Sequence, residues 1–228
     1  MKLLDEIIDG AVDGKQPIAD VLRKCLVLAF QLKDERLKEW LEKELNGYKL
    51  EDTVPDYRCV LLHSKGNFQG GWGSWLPERP LPMSVLDKKH QALVEGAKFR
   101  DPVATFELGN RTEKKPDDKK LRPIRYWSPD LIAMYQDKFY EGYVLVHAWQ
   151  EIPPGVFVSI VETVRNRVLR FALEIREELG LVSDKVEELS KAKVEQIVTN
   201  HIYGGTNIIG GIIHDVTQIG NIVVGQGA

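Results

Sequence analysis

The chain has 228 residues, of which 43% are hydrophobic and 29% are charged, the profile of a folded protein with one large or two small domains. Lys and Arg number 31 against 34 Asp and Glu, a net charge of −3, so the molecule as a whole has no electrostatic attraction to nucleic acid or to acidic membranes. This composition excludes extensive disorder, and it indicates neither a nucleic-acid partner nor a membrane partner.

The chain also lacks the sequence features of export and of membrane insertion. The N-terminal segment contains acidic side chains and has no apolar stretch of signal-peptide length. No apolar run approaches the ~20 residues of a membrane span. The two cysteines, Cys25 and Cys59, form no CxxC pair, and we therefore expect a protein of the reducing cytoplasm.

The N-terminal part of the chain, residues 3–47, has the apolar periodicity of helices. After Pro17, which suits a first helical turn, apolar residues recur at i, i+3, i+4 and i+7. Asp34 has the position of an N-cap, and Gly47 has that of the left-handed residue that ends a helix. These signals predict a short first helix followed by an antiparallel helical hairpin.

Strands are predicted in the middle of the chain, where apolar and polar residues alternate after Pro55. The glycine-rich, aromatic run over residues 66–75 predicts a hairpin of strands. We expect Trp72 and Trp75 to pack against this hairpin, and the alternative is that they form an aromatic binding surface.

Three further elements are predicted before residue 126. The capping-box-like spacing of Ser84 and Asp87 predicts a helix that reaches about Phe99. Residues 102–108 are predicted as a short strand. Residues 109–125 contain seven basic and three acidic side chains, and we interpret this segment as an exposed, solvated loop rather than a nucleic-acid contact.

The second half of the chain returns to helical patterns. Ser128 and Pro129 have the pattern of an N-cap followed by proline in the first turn. A strand is predicted over residues 143–149, and long helices are predicted over residues 156–179 and 183–199. Together with the N-terminal hairpin, these elements predict an α+β fold in which helices at both ends surround a small antiparallel sheet.

The C-terminal tail, residues 200–228, differs in composition from the rest of the chain. It has one acid, no Lys or Arg, 12 Ile, Val or Thr and seven Gly, a mixture that favours extended structure and tight bends. Two windows, 208–213 and 219–224, combine β-branched residues with low charge and no proline, which is typical of strands that stack in cross-β assemblies. We predict that this tail drives self-assembly, and the alternatives are an edge hairpin of its own domain or a disordered C-terminus. The residues predicted to carry the assembly are Asn207, Ile208, Ile209, Gly210, Ile212, Ile213, Gln218, Ile219, Gly220, Asn221, Ile222, Val223 and Val224.

Part of the tail resembles known assembly motifs. Residues 217–220 (TQIG), followed by Asn221, are similar to the core of RHIM-type and bacterial amyloid-signalling motifs. Those motifs usually begin with Ile or Val, whereas this chain has Thr217. The resemblance implies a homo-oligomer, or pairing with a second protein that carries a similar tail.

Six short segments of the body of the chain, residues 1–199, match a known domain. They are 3–8 (LLDEII), 22–29 (LRKCLVLA), 37–40 (LKEW), 44–48 (ELNGY), 55–58 (PDYR) and 164–167 (VRNR). On these segments the body resembles the AbiTii domain of bacterial abortive-infection proteins. The resemblance implies phage defence, in which an infected cell stops growing or dies, and it supplies no catalytic residue. The leading hypothesis is therefore a non-enzymatic defence protein that assembles through its tail.

The sequence predicts no catalytic site, metal site or cofactor. The five histidines are scattered without ligand spacing, and the glycine-rich run lacks the lysine of a phosphate-binding loop. Arg58 and His63 have the Arg-x4-His spacing of HEPN nucleases, but in a strand this offset points the two side chains to opposite faces.

A competing hypothesis is an enzyme, either a nuclease or a nucleotide-acting toxin of an abortive-infection system. It requires acidic side chains to converge with a basic one in a cleft. The acids available for this role are Asp56, Glu141 and Glu151, and the basic residues are Arg58 and Arg125.

Overall fold

A computed structural model of the chain describes residues 2–111, 123–153, 155–182 and 188–204, together with the backbone of residues 208–209 and 212–213. Over this part of the chain the fold is α+β, with eight α-helices and a small antiparallel sheet, so the predicted fold class is confirmed. The helices are α1 (Lys2–Val12), α2 (Ile18–Leu32), α3 (Glu35–Asn46), α4 (Lys88–Val94), α5 (Val103–Arg111), α6 (Pro129–Tyr135), α7 (Gly155–Val182) and α8 (Lys191–His201).

The chain forms two compact units, and the boundaries between them fall within α3 and α7. One unit comprises Met1–Glu42 and Val164–Ala228, and the other comprises Lys43–Thr163. The strands of the described residues are β1 (Cys59–Leu61), β2 (Ser64–Gly70), β3 (Trp75–Pro80), β4 (Gly96–Lys98), β5 (Ile124–Tyr126), β6 (Tyr143–Glu151), β7 (Ile208–Ile209) and β8 (Ile212–Ile213).

The helix α3 begins and ends where local sequence signals predict. Asp34 precedes α3, and its Oδ1 accepts a hydrogen bond from the backbone N–H of Leu37 at 2.7 Å. Gly47 follows α3 with φ +92°, a conformation that glycine adopts without steric strain. Both predicted caps of this helix are confirmed.

The apolar face of α7 confirms the predicted helical periodicity in the first unit. Val164, Val168, Phe171 and Ile175 recur every three or four residues, and each is at most 1% exposed. Removing such side chains from water stabilises a fold by about 1.5–3 kcal/mol each. The helix itself ends at Val182 rather than before Gly180.

The second unit is built around an antiparallel sheet with the strand order β3-β2-β6-β5. The predicted hairpin is confirmed, because β2 and β3 pair on either side of the glycine-rich turn. A separate pair of strands joins β1 to β4. The core beneath the sheet contains Phe68, Leu145, Leu131, Trp127 and Leu86, all of them buried.

Two predicted elements of this unit are wrong. The helix expected from Ser84 to Phe99 is instead a short 3₁₀ turn, the helix α4, and the strand β4. The reason is a non-local one, since β4 pairs with β1 and places Ala97 opposite Val60. The strand expected over residues 102–108 is instead α5, which buries Val103 and Phe106 one helical turn apart.

Of three further predictions about where elements begin and end, one is confirmed, one is wrong, and one lies partly outside the described residues. Ser128 and Pro129 start α6 as predicted, and the Ser128 Oγ accepts from the N–H of Leu131. The last helix begins at Lys191 behind the N-cap Ser190, rather than at residue 183. The loop predicted over residues 109–125 contributes to α5 and β5 at its ends, and residues 112–122 lie outside the described part of the chain.

Candidate functional site

The structure describes four of the residues predicted to carry self-assembly. Ile208–Ile209 pairs with Ile212–Ile213 in antiparallel register, so that Ile208 lies opposite Ile213 and Ile209 lies opposite Ile212. These four residues are therefore extended, as the assembly hypothesis requires. The other predicted assembly residues, Asn207, Gly210, Gln218, Ile219, Gly220, Asn221, Ile222, Val223 and Val224, lie outside the described part of the chain.

The pair of strands β7 and β8 is short. Each strand has two residues, and within the described residues the sheet contains these two strands alone. A two-stranded hairpin in water is marginally stable at best, and about three or more strands or a packed face are needed for independent stability. The Ile-rich hairpin would therefore gain stability from further strands or a packing surface.

A buried ion pair in the second unit joins the last turn of α3 to the 3₁₀ turn Asp56–Arg58. The side chains of Glu44 and Arg58 are both 0% exposed, and Arg58 Nη2 lies 2.6 Å from Glu44 Oε2. Arg58 Nε donates to Glu44 Oε1 at 3.1 Å. The hydroxyls of Tyr48 and Tyr57 also donate to Glu44 Oε1, each at 2.7 Å.

The same arginine connects this centre to the chain between β4 and α5. Arg58 Nη1 donates to the carbonyl oxygens of Phe99, at 3.0 Å, and Asp101, at 2.8 Å. Burial raises the pKa of Tyr48 above its usual range, and the Glu44 carboxylate raises it further, so the hydroxyl stays protonated and keeps donating. Because the ion pair is fully enclosed, we interpret this centre as an internal connection of the second unit rather than a substrate site.

The nuclease hypothesis requires Asp56, Glu141 or Glu151 to meet Arg58 or Arg125, and no ion pair or hydrogen bond of the described residues joins any of these acids to either arginine. Arg58 lies in the 3₁₀ turn Asp56–Arg58 and is buried against Glu44, whereas His63 is exposed between β1 and β2. The strand expected to contain both residues is therefore wrong, and the Arg-x4-His interpretation is rejected because the two side chains have different surroundings. Arg125 contacts carbonyl and amide oxygens rather than a carboxylate. Glu151 instead accepts from Lys65 Nζ at 2.9 Å.

The tip of the β2–β3 hairpin presents an exposed tryptophan. Trp72 is fully exposed and has φ +56°, because the turn is closed by hydrogen bonds from Gly70 N–H to Ser74 O, at 2.9 Å, and from Ser74 N–H to Gly71 O, at 3.1 Å. The predicted packing of Trp72 is therefore wrong, and Trp75 is also exposed, at 47%. The alternative of an aromatic binding surface at this tip stays a prediction.

The remaining reactive side chains have structural surroundings. Cys25 is buried on α2, and burial raises the pKa of its thiol far above the usual range, so the sulfur stays protonated and unreactive. Among the residues that the structure describes, no three His, Cys, Asp or Glu side chains are grouped as metal ligands. No helix within the described ranges is both long and apolar enough to cross a membrane.

Comparison with protein families identifies the chain. The family model for AbiTii matches residues 2–201, which includes all eight helices and the whole four-stranded sheet. The chain belongs to the AbiTii family. Neither the curated proteins nor the solved structures contain a match to it.

Membership of the AbiTii family gives this chain a role in abortive infection, the phage-defence response expected from the sequence. The match ends at residue 201, so the predicted assembly windows 208–213 and 219–224 lie beyond it. The likeness of this chain's tail to RHIM-type motifs is therefore a separate prediction, because the tail lies almost entirely beyond the residues that the AbiTii family model matches.

Sequence reasoning missed the centre around Glu44 and Arg58. Both residues fall in segments that resemble the AbiTii domain, ELNGY and PDYR, but nothing in either segment indicates that they meet. One signal in the sequence is that Glu44 lies on an apolar helix face. A carboxylate in that position normally requires a buried cationic partner, which indicates that such a partner must exist.

Proposed function

We propose that this AbiTii chain acts in phage defence by forming homo-oligomers through its C-terminal tail, residues 200–228. The observation that supports the proposal is the antiparallel pairing of Ile208–Ile209 with Ile212–Ile213. Two strands of this length gain stability when strands of other copies extend them. Pairing with a second protein that carries a similar tail uses the same chemistry.

The sequence of the tail supports this proposal because it omits the usual protection against strand addition. Natural proteins place Lys, Pro or inward-pointing charges on exposed strands to prevent edge-to-edge association. Residues 200–228 contain no Lys, Arg or Pro and one acid, Asp215. Strands of different copies can therefore approach each other without burying charge.

The first test is a truncation, and the structure determines where it should be made. Ile202 is buried, Arg167 donates to its carbonyl oxygen, and the Tyr203 hydroxyl donates to Arg36 O at 2.8 Å. A truncation before these residues would remove packing from the first unit. Deleting residues 205–228 retains it, and we expect the truncated chain to be monomeric and folded, whereas the full chain forms oligomers.

Light scattering and thermal melting followed by circular dichroism give the two measurements for this test. Equal masses for the full chain and the truncated chain at the same concentration would exclude a role of the tail in assembly. A lower mass combined with an unchanged melting temperature is the expected result, since the truncated chain keeps Ile202 and Tyr203 with their contacts to Arg167 and Arg36.

A point substitution tests whether the second window contributes to stacking. Replacing Ile219 by Lys is expected to shift the assembly to at least about tenfold higher protein concentration, because every layer of a stack would bury one ammonium group. Replacing Ile219 by Val preserves the β-branched shape and is the matched control. Sedimentation velocity compares the variants, and identical profiles for the Lys and Val variants would contradict a stacked Ile219.

A further inference from the structure

The second unit contains a cationic pocket that none of the preceding functions uses. Its volume is about 490 Å³, within the range of small-molecule sites in proteins. The walls come from the end of α4, from β4 and the two residues after it, and from single residues of other segments. Three of the lining residues are cationic, namely Lys98, Arg100 and Arg125.

Neutral oxygens hold Arg125 at the wall of this pocket. Its Nη1 donates to Gly96 O at 2.9 Å and its Nη2 donates to Leu93 O at 3.1 Å, while Gln150 Oε1 lies 3.5 Å from Nη1. A guanidinium has five N–H donors, so three acceptors leave at least two donors for a ligand. The carbonyl oxygens orient the guanidinium group of Arg125 without neutralising its positive charge.

The other two cations are also without an acidic partner in the described part of the chain. Arg100 Nη1 donates to the carbonyl oxygens of Lys49 and Asp52. The side chain of Lys98 is exposed and makes no ion pair or hydrogen bond with the described residues. The nearest acids in sequence, Glu95 and Asp101, do not line the pocket.

Three cations with no lining acid produce a positive potential that a concave, partly apolar surface concentrates. The remaining lining side chains are Ala92, Leu93, Ala97, Phe99 and Ile152, which offer hydrocarbon but no acceptor. A ligand that satisfies both features has an anionic group that accepts several hydrogen bonds and a compact apolar or planar body. A mononucleotide has this combination, since a phosphate monoester carries about two negative charges at neutral pH.

We propose that this pocket binds a mononucleotide, with its phosphate between Lys98, Arg100 and Arg125 and its base on the apolar wall. Free nucleotides and the phosphorylated ends of nucleic acids share this chemistry. The volume of about 490 Å³ fits a single nucleotide, which favours the free form. The site is independent of the tail, so it is unaffected if the assembly proposal fails.

Isothermal titration of the full-length protein with adenosine monophosphate tests the proposal. We expect binding that weakens as NaCl increases, and at least about tenfold weaker binding of adenosine and of inorganic phosphate, because each lacks one half of the recognised chemistry. A single-stranded RNA 10-mer with unphosphorylated ends is expected to bind more weakly than the mononucleotide. If this RNA binds more tightly than adenosine monophosphate, the proposal is overturned, and the pocket belongs instead to a surface that binds nucleic-acid polymers.

Substitutions place the bound nucleotide in the pocket. Lys98→Ala is expected to weaken binding of adenosine monophosphate by about fivefold or more, since it removes one charge-assisted hydrogen bond. Lys89→Ala is the matched control, because Lys89 is also exposed, on α4, but does not line the pocket. The proposal is overturned by the absence of binding at millimolar nucleotide, by equal affinity for inorganic phosphate, or by equal affinity of the Lys98 and Lys89 variants.

Discussion

Replacing Glu44 by Ala is expected to lower the free energy of unfolding by about 3–5 kcal/mol, because it leaves a buried guanidinium without its counter-ion. The side chain of Arg58 is 0% exposed. The substitution also removes the acceptor of the Tyr48 and Tyr57 hydroxyls. This is the largest single effect that we expect from the chain, and urea denaturation followed by circular dichroism measures it.

The control for this prediction lies on the same helix. Glu42 is exposed and belongs to α3, two residues before Glu44. Glu42→Ala should therefore change stability by less than about 0.5 kcal/mol. Combining Glu44→Ala with Arg58→Met should cost less than the sum of the two single substitutions, since the double variant contains no unpaired charge. Additive costs, or a Glu44 variant as stable as the Glu42 variant, would contradict this account of the pair.

Replacing Arg165 by Met is expected to cost about 2–4 kcal/mol, because it leaves three backbone carbonyls without their charged donor. Arg165 belongs to α7 and is 5% exposed. Its Nη1 donates to Gly10 O, at 3.1 Å, and to Asp13 O, at 3.2 Å, and its Nη2 donates to Gln16 O at 2.9 Å. This one side chain therefore fixes the connection between α1 and α2.

Two readouts distinguish this role from loss of packing alone. Arg170→Met changes an exposed arginine of the same helix and should shift the free energy of unfolding by less than about 0.5 kcal/mol. Hydrogen exchange should accelerate selectively in residues 10–17 of the Arg165 variant, where the backbone loses its connection to α7. Uniform acceleration across the first unit would instead indicate a general packing defect.

The two buried arginines perform the same physical task in the two units. Each places a planar set of N–H donors against backbone carbonyls that no regular secondary structure satisfies, and unsatisfied carbonyls in a protein interior cost free energy. Arg58 and Arg165 also fall in the PDYR and VRNR segments that resemble the AbiTii domain. We therefore interpret both segments as structural features of this fold rather than as catalytic motifs.

Several features of this protein were determined by the sequence alone, and they share a local cause. The N-caps Asp34 and Ser128, the terminal Gly47 and the buried stripe of α7 depend on residues within a few positions of each other. Such signals predict helix ends and buried faces because the interacting groups are neighbours in the chain. The helical part of the α+β class followed from them, whereas the family was indicated by the resemblance of short segments to the AbiTii domain.

Other features were decided by tertiary structure, because their groups are distant in sequence. The segment containing β4 has the local signals of a helix but becomes extended through its pairing with β1, since strand pairing can override weak local propensity. The Glu44 and Arg58 pair is completed by the carbonyls of Phe99 and Asp101. The cationic pocket likewise forms only when Arg125 joins the residues of β4. The periodicity of apolar residues predicts which face of a helix or strand is buried. Contacts between elements that are distant in sequence depend instead on how the chain closes the long loops between them.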